Sequence, residues 1–174
     1  AVERLEEDGK IRHWGVSAGD AEEARVALGA GAQALCLTHN LLRPGDVEDL
    51  AEDLAEAGCG LLARSPLMYG MLAGRWSAGH TFAEDDHRRD RWNRVAFAER
   101  LRQVEELGTL VGGRHPDLPT LALRFALGHA RVTSAIVGAR SAAQIEAAAG
   151  AVSEASLGGD DLQRLAKVRD LAGI

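Results

Sequence analysis

Short apolar runs alternate with stretches rich in Ala, Leu, Glu and Arg, and this alternation is what most restricts the fold of the chain. Ile11 to Ser17, Ala34 to Thr38, Gly60 to Ser65 and Val132 to Val137 are apolar runs bounded by turn residues, which predicts strands covered on both faces. A helix is expected from Asp20 to Leu28, stopped by Gly29-Ala30-Gly31. Pro44-Gly45-Asp46 opens another that runs to about Ala57, and Gly58 ends it. Strands alternating with helices predict βαβ units and a parallel sheet.

The connection after the third strand is long. Pro66 to Asn93 holds three glycines (Gly70, Gly74, Gly79), aromatics that include Tyr69, Trp76 and Phe82, and the charged run Glu84 to Arg91. Loops of this length usually carry function. Helices are then expected from Val95 to about Leu110, from Leu118 to about His129 and from Ser141 to about Ala149. The last, Gly159 to Leu171, places Leu162, Leu165, Val168 and Leu171 on one face, the face that would pack on the outside of a barrel. The 174 residues, 46% of them hydrophobic, suffice for a single domain over 1–174 with a real core.

Several function classes are disfavoured. A net charge of -6 argues against a general nucleic-acid binder. No apolar run approaches the ~20 residues of a membrane span. Ala1 to Asp8 is amphipathic and acidic, unlike a signal or transit peptide, and the absence of a leading Met suggests a start inside a longer parent. Cys36 and Cys59 each lie in or beside an apolar run and match no metal spacing, so buried free thiols and a reducing, cytoplasmic setting are expected. Gly-x-Gly-x-x-Gly and P-loop motifs are absent, against a Rossmann dehydrogenase or a nucleotide hydrolase.

The clearest chemical signal is Ala135-Ile136-Val137-Gly138-Ala139-Arg140-Ser141-Ala142-Ala143-Gln144. A strand ends at a glycine, a basic residue follows, and Ser141 can cap the next helix, whose unpaired N–H groups suit an anion such as phosphate. His39 at a strand end reads either as a polar group near substrate or as a hydrogen-bonded histidine lining the barrel top. Tyr69 and Trp76 are candidates for a pocket wall or for packing, and Trp14 for core. Asp85-Asp86-His87 has poor spacing for a metal, so no metal site is expected. The arginines at 88, 89, 91 and 94 could meet a cofactor phosphate or the protein's own acids.

Four segments extend this reading. Gly9-Lys10-Ile11-Arg12-His13-Trp14-Gly15-Val16-Ser17, His39-Asn40-Leu41-Leu42, Ala63-Arg64-Ser65-Pro66-Leu67-Met68-Tyr69-Gly70-Met71-Leu72-Ala73-Gly74 and the Gly138-to-Gln144 segment, in this order and spacing, resemble the C-terminal half of the aldo-keto reductase family. Phe82 to Arg88 is similar to a loop of its bacterial members. The resemblance runs from Glu6 to the C-terminal helix. It implies an α/β fold that is the C-terminal half of a (β/α)8 TIM barrel, with four parallel strands and flanking helices, and NADP(H)-dependent reduction of a small carbonyl compound. No nucleic acid or membrane partner is implied. By resemblance, Ser17 would hold the nicotinamide carboxamide. Arg64, Ser65, Pro66, Leu67 and Gly70 would lie along the ring and pyrophosphate. Gly138, Arg140, Ser141 and Gln144 would grip the adenosine 2′-phosphate, which implies NADP(H) over NAD(H).

The departures are specific. Ala18 stands where the family has Asn, Cys36 where it has Gln, Arg64 where a Tyr often stacks, and Ala148 where an Asn lies near adenine. The family's catalytic Asp, Tyr, Lys and His fall in its first half and have no counterpart here. Four strands do not close a barrel of eight. The segment therefore calls for an N-terminal half-barrel, in cis or in trans, or for self-association. A non-catalytic half-barrel serving binding or assembly is the alternative reading. A barrel lyase or isomerase holding a phosphorylated substrate at Gly138 to Ser141 is a further one.

Overall fold

In the computed structural model of the chain, residues 1–153 and 157–174 are described. The elements run α1 (Val2–Glu7), β1 (Gly15–Ser17), α2 (Ala21–Gly29), β2 (Ala34–Thr38), α3 (Gly45–Asp49), α4 (Ala51–Glu56), β3 (Gly60–Arg64), a 3-10 segment (Met68–Ala73), α5 (Arg94–Gly108), α6 (Leu118–Gly128), β4 (Val132–Ile136), α7 (Ala142–Ser153) and α8 (Gly159–Ala172). The strands form one parallel sheet in the order β1-β2-β3-β4. This is half of a (β/α)8 barrel, as expected.

Local chemistry sets the helix starts. Asp20, Asn93 and Asp117 each accept a hydrogen bond from the backbone N–H three residues on, capping α2, α5 and α6. Pro119 adds the fixed φ that suits a first turn. β1 is shorter than the expected run from Ile11, because pairing with β2 begins only at Gly15↔Ala34. A Cβ at Gly15 would sit 2.3 Å from the Ala34 carbonyl oxygen, so only glycine lets the two strands approach. The single helix expected from Pro44 to Ala57 is broken at Leu50. Arg25 Nη2 donates to the Asp49 carbonyl at 3.0 Å, and Leu50 turns fully inward.

The sheet has two unequal faces. On the helix side, Leu35, Leu37 and Leu61 are fully buried against Ala24, Val47, Leu50 and Leu54 of α2 to α4. Each such leucine contributes about 1.5–3 kcal/mol of burial. A second cluster joins the 3-10 segment to α5, α6 and α8 through Met71, Leu72, Leu107, Leu121 and Leu165. The opposite face carries Ser17, Cys36 and Leu62 in one register row and Arg64 with Ile136 in the next, none of them buried, and Ile136 is 50% exposed. Cys59 is buried and Cys36 half-buried, both as free thiols. On α8, Leu165 is buried and Val168 packs on the second cluster, but Leu162 and Leu171 are exposed, so the buried stripe is narrower than its sequence spacing suggested. No helix among the described residues is long and apolar enough to cross a membrane.

Candidate functional site

In a parallel sheet all strands end on the same side, and Ser17, Arg64, Ser65 and the Gly138-to-Gln144 segment lie at or just beyond those ends. Ser17 is exposed at the last position of β1, while Ala18 behind it is fully buried. Arg64, the last residue of β3, reaches past β2: its Nη2 donates to the Ala18 carbonyl at 2.9 Å. Its Nε is buried without a partner. That leaves a fixed cation with a buried, unspent Nε–H near Ser17, where Cys36 pairs in register.

The loop after β3 is held in an unusual backbone. Ser65, Met68 and Tyr69 have φ of 53°, 46° and 58°, and Gly70 has 98°. Non-glycine residues reach this region only when their surroundings impose it. Fully buried Asn40 imposes it here, since its Nδ2 donates to the Ser65 carbonyl at 3.0 Å and its Oδ1 accepts from Leu42 N at 3.0 Å. Met68 N to Ser65 O and Gly70 N to Leu67 O, both 2.9 Å, tighten the turn, and Pro66 is buried within it.

The remainder of the long loop closes on itself through aromatic contacts. Trp76 stacks on His80 at 5.2 Å and meets Phe82 edge-on at 5.0 Å, and both Trp76 and Tyr69 contact Trp92. The Arg91 guanidinium lies 3.7 Å from the Tyr69 ring centroid. Arg88 donates to Asp86 and to the Tyr69 carbonyl and lies over Trp76 and Phe82. The Arg88 hydrogen bonds hold the Asp86 carboxyl well below its ordinary pKa. Of the four arginines at 88, 89, 91 and 94, Arg88 is thus committed to the protein's own acid. The described residues offer no His, Cys, Asp or Glu cluster able to hold a metal, at Asp85 to His87 or elsewhere.

At the start of α7, Arg140 N donates to Gln144 Oε1 at 2.7 Å, and Gln144 N lies 3.4 Å from Ser141 Oγ. Ser141 thus caps the first turn, and the Gln144 side chain ties back to the residue before the cap. Ala142 N and Ala143 N have no partner among the described residues. The Arg140 side chain, exposed, makes no ion pair among them either.

His39 is placed elsewhere. A hydrogen-bonded histidine at the barrel top was one expectation. Instead the ring is 1% exposed, stacks on Phe125 of α6 at 5.0 Å and meets His129 edge-on at 5.6 Å. Neither ring nitrogen has a hydrogen-bond partner among the described residues, although the Pro44 carbonyl works against the lowering of the ring's pKa. Strand alternation explains the placement. Leu35 and Leu37 point to the helices, so His39, two residues on, does as well. Burial lowers its pKa to about 4, and the His129 and Arg169 charges push the same way.

The aldo/keto reductase family model matches residues 1–170. The chain belongs to the aldo/keto reductase family. An aldo-keto reductase of Babesia bovis is 28% identical over a match that takes in 83% of this chain and 56% of that protein. The fold is similar to that of the glycerol dehydrogenase AKR11B4 from Gluconobacter oxydans, with a TM-score of 0.82 and 24% identity over 98% of this chain and 53% of that one. The holo form of the aldo-keto reductase AKR11C1 from Bacillus halodurans gives a TM-score of 0.73 and 22% identity over 95% of this chain and 53% of that one. The chain thus spans about half the length of the family members it matches, and its fold is the corresponding part of an oxidoreductase barrel.

For a nicotinamide dinucleotide, the strand-end residues fit by their chemistry. Arg140 and the Ala142 and Ala143 amides offer a cation and two unspent donors to a phosphate. Arg64 Nε offers another. Sequence reasoning missed two supports, Asn40 beneath Ser65 and the Arg64 bond to Ala18. The His-Asn pair of the second segment was a signal for the first; the second joins residues 46 positions apart and left none.

Proposed function

We propose that this chain is the cofactor-gripping half of an NADP(H)-dependent aldo-keto reductase acting on an aldehyde or ketone, or on the corresponding alcohol in reverse. When bound, the cofactor supplies the hydride for the carbonyl carbon. The observation that carries the reading is the entrance to α7: an arginine and two amides with no partner among the described residues, and a self-capped turn, at the same end of the sheet as Arg64 and Ser17. Arg140 and the two amides bind the 2′-phosphate. Ser141 and Gln144 hold the turn, with Gln144 acting through the Arg140 N–H. Gly138 leaves the approach open, with nothing within 4 Å of where its Cβ would stand.

Ser65, Pro66, Leu67 and Gly70 present the strained loop to the pyrophosphate, and Arg64 supplies charge next to it. Ser17 orients the carboxamide with less help than usual, because Ala18 and Cys36 replace two polar partners. Tyr69 and Trp76, both half-buried, form the loop side of the substrate pocket. Proton transfer to the carbonyl oxygen falls to residues of an N-terminal half-barrel, supplied in cis or in trans. Residues 1–174 act as one domain with it.

The half-open inner face favours that partnership over a free-standing role. Cys36, Leu62 and Ile136 lie on it, and β1 and β4 leave two unpaired edges. The same face would serve self-association if the chain is an assembly module instead. Joining the chain to the N-terminal half of a family member tests the proposal. NADPH-dependent loss of an aldehyde substrate is expected, with Arg140→Gln raising the KM for NADPH about tenfold or more and leaving that for NADH unchanged. A joined barrel that folds but turns over no carbonyl compound with either cofactor refutes it.

A further inference from the structure

On the helix side of the sheet, among α3, α6 and α8, lies a cavity of about 340 Å³. That volume is in the range of small-ligand sites, about 300–1,000 Å³. Phe125, Leu157, Leu162 and Leu165 give it apolar walls, and His39, His129, Arg169 and the Glu48 carboxylate line its polar end.

Three buried polar atoms on two of these residues are unsatisfied: Nδ1 and Nε2 of His39, and Nε of Arg169. A buried donor or acceptor without a partner costs about 1–3 kcal/mol, and native proteins keep few of them. Both residues line the cavity, where an acceptor could take the Arg169 Nε–H and the one His39 N–H. Arg169 brings a fixed positive charge. Its acidic neighbour Glu48 is half exposed and touches only Nη1, at 3.4 Å. His39 adds a neutral ring with one N–H to donate. Opposite this donor end the walls are hydrocarbon, which a bare phosphate or sulfate would not satisfy.

We propose that this cavity binds a small organic carboxylate with an apolar body. The carboxylate rests on Arg169 and His39, and the apolar body on Phe125, Leu162 and Leu165. The 48% exposure of Leu162 marks the side open to entry. This proposal stands apart from the cofactor reading, since none of the residues that line the cavity is among those assigned to the dinucleotide.

Benzoate is a suitable probe, with benzamide as its uncharged counterpart. Titration of the chain by calorimetry is expected to show saturable benzoate binding, at least about tenfold tighter than benzamide. ¹⁵N-resolved imidazole resonances of His39 should shift as the site fills. Arg169→Gln should weaken benzoate about tenfold or more, and Glu48→Gln should tighten it by removing the competing carboxylate. No saturable binding to the folded chain overturns the proposal. Equal affinity for benzamide, unmoved His39 resonances, or an Arg169→Gln variant that folds and binds as before do the same. If Arg169→Gln does not fold, Glu48→Gln decides alone, and unchanged or weaker binding overturns the proposal.

Discussion

Replacing His39 by Phe should flatten the acid side of the stability profile. In the folded chain the ring is buried, unpartnered and stacked on Phe125, and its pKa is lowered to about 4 from an ordinary 6.5. Between those two values the unfolded chain holds a proton on His39 and the folded chain does not. Stability therefore falls as pH falls through this window. A displacement of about 2.5 units at about 1.36 kcal/mol each gives a loss of about 3 kcal/mol between pH 7 and pH 4. Phenylalanine keeps the aromatic stack and carries no titrating group. His129, lowered in the same direction by its own burial, stays in both proteins, so the difference between the two profiles reads the loss of His39 together with its coupling to His129. At pH 7 the variant should also be at least as stable as the parent, since two unsatisfied buried nitrogens are gone. Urea unfolding from pH 7 to pH 4, followed by circular dichroism, measures both effects. Identical pH slopes for parent and His39→Phe would refute the reasoning.

Other outcomes follow from single contacts. Gly15→Ala should cost about 1–3 kcal/mol, read as a lower urea midpoint, because its Cβ meets the Ala34 carbonyl at 2.3 Å. Arg88→Ala removes the link from Asp86 to the Tyr69 carbonyl and the cation over Trp76 and Phe82, so limited trypsin digestion should cut within 77–91 faster than in the parent. Ile136→Asp, at a half-exposed position on the open sheet face, should leave the chain's own stability within about 0.5 kcal/mol and abolish co-purification with an N-terminal half-barrel. Co-purification at parental levels would sink that docking assignment.

The parallel sheet and the helix order were legible because burial on both faces writes itself into composition. Leu35, Leu37 and Leu61 sit in apolar runs, and Asp20, Asn93 and Asp117 announce the caps. What escaped depends on contacts distant in sequence. The break at Leu50 follows from Arg25 taking the Asp49 carbonyl, and the strained turn at Ser65 from Asn40 beneath it. The exposure of Leu162 and Leu171 reflects where α5 and α6 touch α8, which spacing alone does not encode. His39 was legible in principle, since counting by twos from Leu35 carries it to the helix side; its position at a strand end suggested the barrel mouth instead. The self-capped turn from Arg140 to Gln144 was readable directly, because its hydrogen bonds are local.

The most direct test of the cofactor assignment is a titration of the chain with NADPH and with NADH, both alone and joined to an N-terminal half-barrel, followed by tryptophan fluorescence. Saturable quenching that favours NADPH by about tenfold or more, and loses that preference in Arg140→Gln, is the predicted result. Equal affinity for the two cofactors, or no binding by the folded protein in either form, would contradict it.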